Sequence, residues 1–190
     1  SYDADGETPF RFGSFTTMGE FYVETGLNII GMSDYKRILS LDSAMAVVQF
    51  KKDHVVYQRN YFISYPANVM VMRFSADQPG KQNLVFSYAP NPVSTGNMAS
   101  DSNKGLVYSA SLDNNGMKYV VRIQAETKGG TLSNADGKLT VKGADEVVFY
   151  ITADTDYKPN FDPDFKDPKT YVGVNPEETT KQWMNNAVLQ

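Results

Sequence analysis

Two glutamates, Glu20 and Glu24, stand four residues apart in the segment MGEFYVE at residues 18–24. Alternate residues of a strand share a face, so the pair would project side by side from one surface. Two carboxyls can cut a glycosidic bond by acid–base chemistry, and an inverting reaction wants them ~6.5–9.5 Å apart across that bond. Exposed acids are also the ordinary furniture of a solvated sheet face, and this pair reads as such a face. A second acidic group, Asp154, Asp156, Asp162, Asp164 and Asp167, offers the hard oxygen donors that suit calcium. Prolines at 159, 163 and 168 space those acids irregularly and the glycine of a calcium loop is missing, so the stretch reads as a solvated linker.

Other chemistries are closed by composition. Cysteine is absent, which excludes disulfides and thiolate metal sites, and His54 is the one histidine. A serine–histidine–aspartate triad or a multi-histidine zinc site would rest on that residue alone. With Lys51, Lys52 and Asp53 before it, His54 reads as a turn residue. Trp183 and the tyrosines of residues 54–65 could stack on sugars, but a tryptophan on the apolar side of a helix reads first as an anchor onto a neighbouring domain. Arg59 and Arg73 sit in otherwise apolar strands and read as makers of structural hydrogen bonds. No catalytic residue, no metal ligand and no cofactor is assigned on these grounds, and the substrate-binding residues stay unknown.

The elements that carry these residues are strands. Residues 18–24, 36–42 (KRILSLD), 45–51 (MAVVQFK), 54–65 and 68–76 (NVMVMRFSA) alternate in hydrophobicity over lengths that signal extended chain. Ile38 and Leu39 are expected to carry residues 36–42 inward. Val55, Tyr57, Arg59, Tyr61, Ile63 and Tyr65 fall on one face of the next long strand but one. Turns are expected at Asp42-Ser43, at Lys52-Asp53 and at Asp77-Gln78-Pro79-Gly80, where Pro sets φ and Gly supplies φ > 0. Asn115-Gly116 and Asp136-Gly137 are hairpin signals, joining residues 105–112 to 118–127 and 130–133 to 138–142. Residues 145–154 (DEVVFYITAD) are nearly all apolar in the middle and belong deep in a sheet. About a dozen strands with short connections make an all-β, large antiparallel β-sandwich.

After residue 154 the character changes. Residues 155–174 form a Pro/Asp-rich extended linker. Asn175-Pro176-Glu177-Glu178 then has the signature of a helix start, with Asn as N-cap and Pro at the first helical position. This short C-terminal helix is expected to run to about Leu189 with Trp183, Ala187 and Val188 as its apolar side. The organisation is therefore residues 1–154 as the sandwich, 155–174 as the linker, and 175–190 as the start of a helical connection toward a further domain.

Bulk properties bound the partners. A chain of 190 residues suffices for one domain with a sizeable core. Its 12 Tyr and 11 Phe favour strands. The net charge is −4 and the 18 basic residues form no cluster, so no nucleic acid is expected. No apolar run approaches the ~20 residues of a membrane span, and the opening SYDADGETPF lacks the features of a signal peptide.

The ordered motif set resembles one family. Tyr35-Lys36-Arg37-Ile38-Leu39-Ser40-Leu41-Asp42 matches a Tyr-x-Arg, Leu-x-Leu strand, followed by Ala44 and the apolar run 46–50. Tyr57-Gln58-Arg59-Asn60-Tyr61-Phe62-Ile63-Ser64 matches Tyr-x-Arg-Glu-x-Phe-x-Ser, with Asn60 departing from the usual acid. Pro66, Arg73 and Ala76-Asp77-Gln78-Pro79-Gly80 follow in order, Met18-Gly19-Glu20-Phe21-Tyr22 precedes, and Gly143-Ala144-Asp145 with Ala153, Thr155 and Tyr157 closes the set. Together these resemble the N-terminal sandwich of the α-L-fucosidases of glycoside hydrolase family 95.

The resemblance implies a supersandwich-like fold that does no chemistry itself. It implies an (α/α)6 catalytic domain elsewhere in the same polypeptide, holding the general acid and the water-activating group of an inverting hydrolysis, none of which falls on this sequence. The substrate reached through that parent enzyme would be a fucosylated glycan, or an α-L-galactoside, and the setting periplasmic or secreted in a bacterium. Two readings of other classes stand beside it: a free-standing carbohydrate-binding or surface-interaction sandwich, and a complete small enzyme with its own cleft. An interface left without its partner domain would expose apolar surface, so self-association of the isolated chain is expected at high concentration.

Overall fold

The computed structural model describes residues 16–161 and 167–189. Twelve strands lie among them: β1 (Gly19–Glu24), β2 (Ser33–Ser40), β3 (Met45–Lys52), β4 (Val55–Ser64), β5 (Val69–Ala76), β6 (Gln82–Pro90), β7 (Ser94–Ser102), β8 (Gly105–Leu112), β9 (Lys118–Lys128), β10 (Thr131–Ala135), β11 (Lys138–Ala144) and β12 (Glu146–Thr155). They form a four-stranded sheet, β1-β6-β11-β10, and an eight-stranded sheet, β2-β3-β4-β5-β12-β9-β8-β7. All pairings are antiparallel, so the fold is the expected β-sandwich.

The small sheet covers only part of the large one, and the core lies where they overlap. Phe74, Phe86, Val121, Ile123, Leu139, Val147 and Phe149 are buried together there. Phe86 of the small sheet stacks on Phe149 of the large one with centroids 4.6 Å apart, and Phe74 meets the same ring edge-on at 5.9 Å. Alternation explains β6: Leu84, Phe86 and Tyr88 point in, while Asn83 points out.

The opposite face of the large sheet is covered by helix α1 (Pro176–Val188), which packs on β12 and β9 and touches β5. The Asn175 side chain accepts from the Glu177 backbone N–H at 3.1 Å, the cap the sequence signals. The buried side of the helix differs from the expected one. It is Pro176, Thr180 and Met184, whereas Trp183, Ala187 and Val188 are half-buried. Thr180 tolerates complete burial because its hydroxyl donates to the Pro176 carbonyl at 2.8 Å and its own carbonyl accepts from Thr152 Oγ1 at 3.1 Å. Beneath the helix N-terminus Arg122, 2% exposed, is held by the Asp101 carboxylate and by Glu177 Oε1 at 2.7 Å.

Three further expectations are corrected. Ile38 and Leu39 do not turn inward: they are 51% and 69% exposed, because β2 is an edge strand outside the reach of both the small sheet and the helix. The turn expected at Lys52-Asp53 sits one residue later, where Asp53 and His54 both adopt positive φ, at 49° and 64°. The stretch 155–174 is not wholly extended. A 3-10 helix, Pro168–Tyr171, ends it, and Lys158 N and Gly173 N donate to Tyr171 O and Asp156 O at 2.7 and 2.6 Å. No helix among the described residues is long and apolar enough to cross a membrane.

Candidate functional site

On its inner face the large sheet runs past the small one, and β2, β3 and β4 overhang. One cross-strand row crosses the boundary. Val147 and Phe74 lie in the core, and Arg59, Val48 and Arg37 continue the row outward. A second row, Met72, Tyr61, Ala46 and Leu39, runs beside it. Paired residues share a face, so these side chains all project to the same side.

The connection from β1 to β2 supplies the opposite wall. It is shaped by its own polar groups: Asn28 Oδ1 accepts from Ile30 N at 2.9 Å, Met32 N donates to Ile29 O at 3.1 Å, and Lys52 Nζ donates to Ile30 O at 2.6 Å. Leu27 and Met32 then pack on a small separate core of Phe50, Val55 and Tyr57. Sheet and connection enclose an open groove of about 530 Å³, lined among others by Tyr35, Arg37, Phe50, Arg59 and Tyr61.

The groove is cationic and aromatic. Arg59 lies over the Phe50 ring at 5.1 Å and the Phe74 ring at 5.8 Å, a cation–π seat that fixes its guanidinium. Burial pushes the Tyr61 phenol above its usual range, and the charge and hydrogen bond of Arg59 oppose that only in part. Among the described residues neither Arg37 nor Arg59 has a carboxylate partner, and no acid lines the groove. Reading Arg59 as a purely structural residue therefore missed its exposure to a groove. Arg73 fits that reading, because it points away and pairs with Glu146 at 2.5 Å.

The other sequence candidates do not converge here. Glu20 and Glu24 share the exposed face of β1 with Tyr22, whose hydroxyl donates to Glu20. Asp156 Oδ1 accepts from Lys118 N at 2.9 Å, Asp167 Oδ1 from Lys169 N at 2.9 Å, and Asp154 Oδ1 from Thr155 N at 2.8 Å. Each of those acids is thus engaged by backbone, and the described residues hold no cluster of three or more His, Cys, Asp or Glu suited to a metal. Asp162 and Asp164 lie outside the described residues. Trp183 is half-buried on α1, and His54 sits exposed in its turn, where its carbonyl accepts from Gln78 Nε2 at 3.3 Å.

Residues 3–160 match the family model described as glycosyl hydrolase family 65, N-terminal domain. The chain belongs to that family. Among curated relatives, this family 65 N-terminal domain is 29% identical over 192 residues to the "Probable alpha-fucosidase A" of Aspergillus niger, covering 96% of the chain and 23% of the relative. It is 26% identical to the "Alpha-L-fucosidase 2" of Arabidopsis thaliana, over 72% of the chain and 18% of the relative. The chain thus spans less than a quarter of either protein. In fold it is similar to a "Putative kojibiose phosphorylase from human microbiome", with a TM-score of 0.55 at 10% identity, covering 88% of the chain and 25% of that structure. The motif set quoted above therefore identified an N-terminal sandwich of glycoside hydrolase-like proteins, with relatives named as fucosidases.

Proposed function

We propose that this domain is the non-catalytic N-terminal sandwich of an α-L-fucosidase-like enzyme of the family 95 type, and that it supports a separate (α/α)6 domain that hydrolyses terminal α-L-fucosides with inversion. The observation that carries the reading is the fungal relative, which aligns with 96% of this chain through only 23% of its own length. The geometry supports it. The groove presents arginines and aromatics where acid–base hydrolysis needs a pair of carboxyls, and the paired acids Glu20 and Glu24 lie on an open strand face.

The test is an assay of the parent enzyme on an aryl α-L-fucoside. Changing Glu20 and Glu24 together to Gln is expected to leave kcat within about twofold, since neither touches the reacting atoms, whereas losing a general acid costs 10²–10⁴-fold. A loss of that second size would place the chemistry on this domain, and a parent without activity on α-L-fucosides would end the substrate reading.

A further inference from the structure

The overhang has the composition of an interface missing its other half. Arg37 and Arg59 stand two strand spacings apart in one row, ~10 Å between their backbones. They are placed charges on a chain whose net charge is −4, and among the described residues no acid lines the groove they face. Around them Ile29, Leu39 and Ile63 are 79%, 69% and 71% exposed. Arg, Tyr and Met beside aliphatic side chains is the mixture enriched where proteins meet.

The same inventory disfavours a neutral glycan. Sugar hydroxyls are usually met by carboxylate or amide acceptors as well as donors, and the charged groups here only donate. Aliphatic surface on this scale also contributes little to holding a hydrated glycan, whereas it stabilises a protein contact.

We propose that this groove docks the helical part of the parent enzyme, through a surface segment that carries a carboxylate between apolar side chains. The inference rests on the reading above that such a part exists. The carboxylate accepts from Arg37 and Arg59 together, and its neighbours cover Ile29, Leu39 and Ile63. Arg59 is already seated on Phe50 and Phe74, so little further ordering opposes the contact.

Hydrogen exchange on the full-length parent tests this, because among the described residues the large sheet ends in two edge strands, β2 and β7, that serve as probe and control. The expected result is protection of β2 amides well above β7, with Arg37→Glu speeding β2 exchange roughly tenfold and leaving β12 unchanged. Arg37 is exposed, so this substitution does not threaten the fold.

Exchange at β2 as fast as at β7, in a parent that has the helical part and cleaves aryl α-L-fucosides, overturns the docking and leaves the functional reading standing. Protection that vanishes on dilution assigns the groove to a second copy, and protection seen only with added polygalacturonate assigns it to an acidic glycan. Either overturns the proposal. A parent with no helical part overturns the functional reading, and the docking with it.

Discussion

Strands β5, β12 and β9 and strands β2, β3 and β4 belong to one continuous sheet and draw on the same residue types. The first three are covered twice, by the small sheet on one face and by α1 on the other, and their apolar residues are buried or half-buried on both. Among the described residues the second three are covered by the connection before β2, and Ile38 and Leu39 of β2 and Ile63 of β4 stand in solvent. Hydrophobic alternation decides which face a side chain takes, but the reach of the second layer decides whether that face is inside. The covered half holds the main core, and the overhang leaves its inner face open to the groove.

A pair of truncations separates the two halves most widely. Phe149→Ala, in the covered half, is expected to cost about 3–5 kcal/mol, while Ile63→Ala on the overhang should stay within about 0.5 kcal/mol. Urea unfolding of the two variants checks it, and equal losses would contradict the division.

Next in size is the anchor of α1. Glu177→Ala removes one of the two carboxylates that hold the buried Arg122 and is expected to cost about 1–3 kcal/mol. Arg122 stays partly satisfied by Asp101, which keeps the loss below that of an orphaned charge.

The tyrosines of the covered half give a pH signature. Burial raises the phenols of Tyr88 and Tyr119 above their ordinary 10.0. The folded state then holds these protons more tightly than the unfolded chain does. Their contribution is complete below pH 10 and is lost as pH rises through the folded values. Stability should be flat from about pH 8 to about pH 10 and then fall by up to ~1.4 kcal/mol per unit for each phenol. A urea midpoint that held through that alkaline range would contradict the burial of these rings.

Smaller again is the helix cap. Asn175→Ala is expected to cost about 1 kcal/mol, read as a lowered Tm. Least of all, Ile38→Ser with Leu39→Ser should leave the stability of the isolated chain nearly unchanged and reduce its self-association. Light scattering across concentrations measures this, and an unchanged or absent self-association in both proteins would remove the overhang as its cause.

Most of the large sheet was legible in the residues. The turns at Gly80, Gly116 and Asp136-Gly137 fall at positive φ as their types demand, and the apolar middle of β12 marks the centre of the sheet. The segment from 81 to 104 was not assigned. In β6 the alternation is plain once sought. In β7 it is weak: STGNMASDS carries few strand formers and is held by pairing with β8, with Gly96 required because a Cβ there would come within 2.3 Å of Ala110. The groove was illegible because its two arginines lie 22 residues apart and meet only through the register of three strands. Tyr35, Arg37 and Arg59 were noticed as motif residues, and nothing local tells a motif arginine that packs inside from one that faces a groove.

The central claim is that this domain lends its surface to chemistry performed elsewhere in the same polypeptide. Reading the gene onward from Gln190 tests it most directly. The account predicts a continuation of several hundred residues with helical periodicity and paired carboxylates, in keeping with the fungal relative, of which this chain matches only 23%. A stop codon shortly after Gln190 would contradict it.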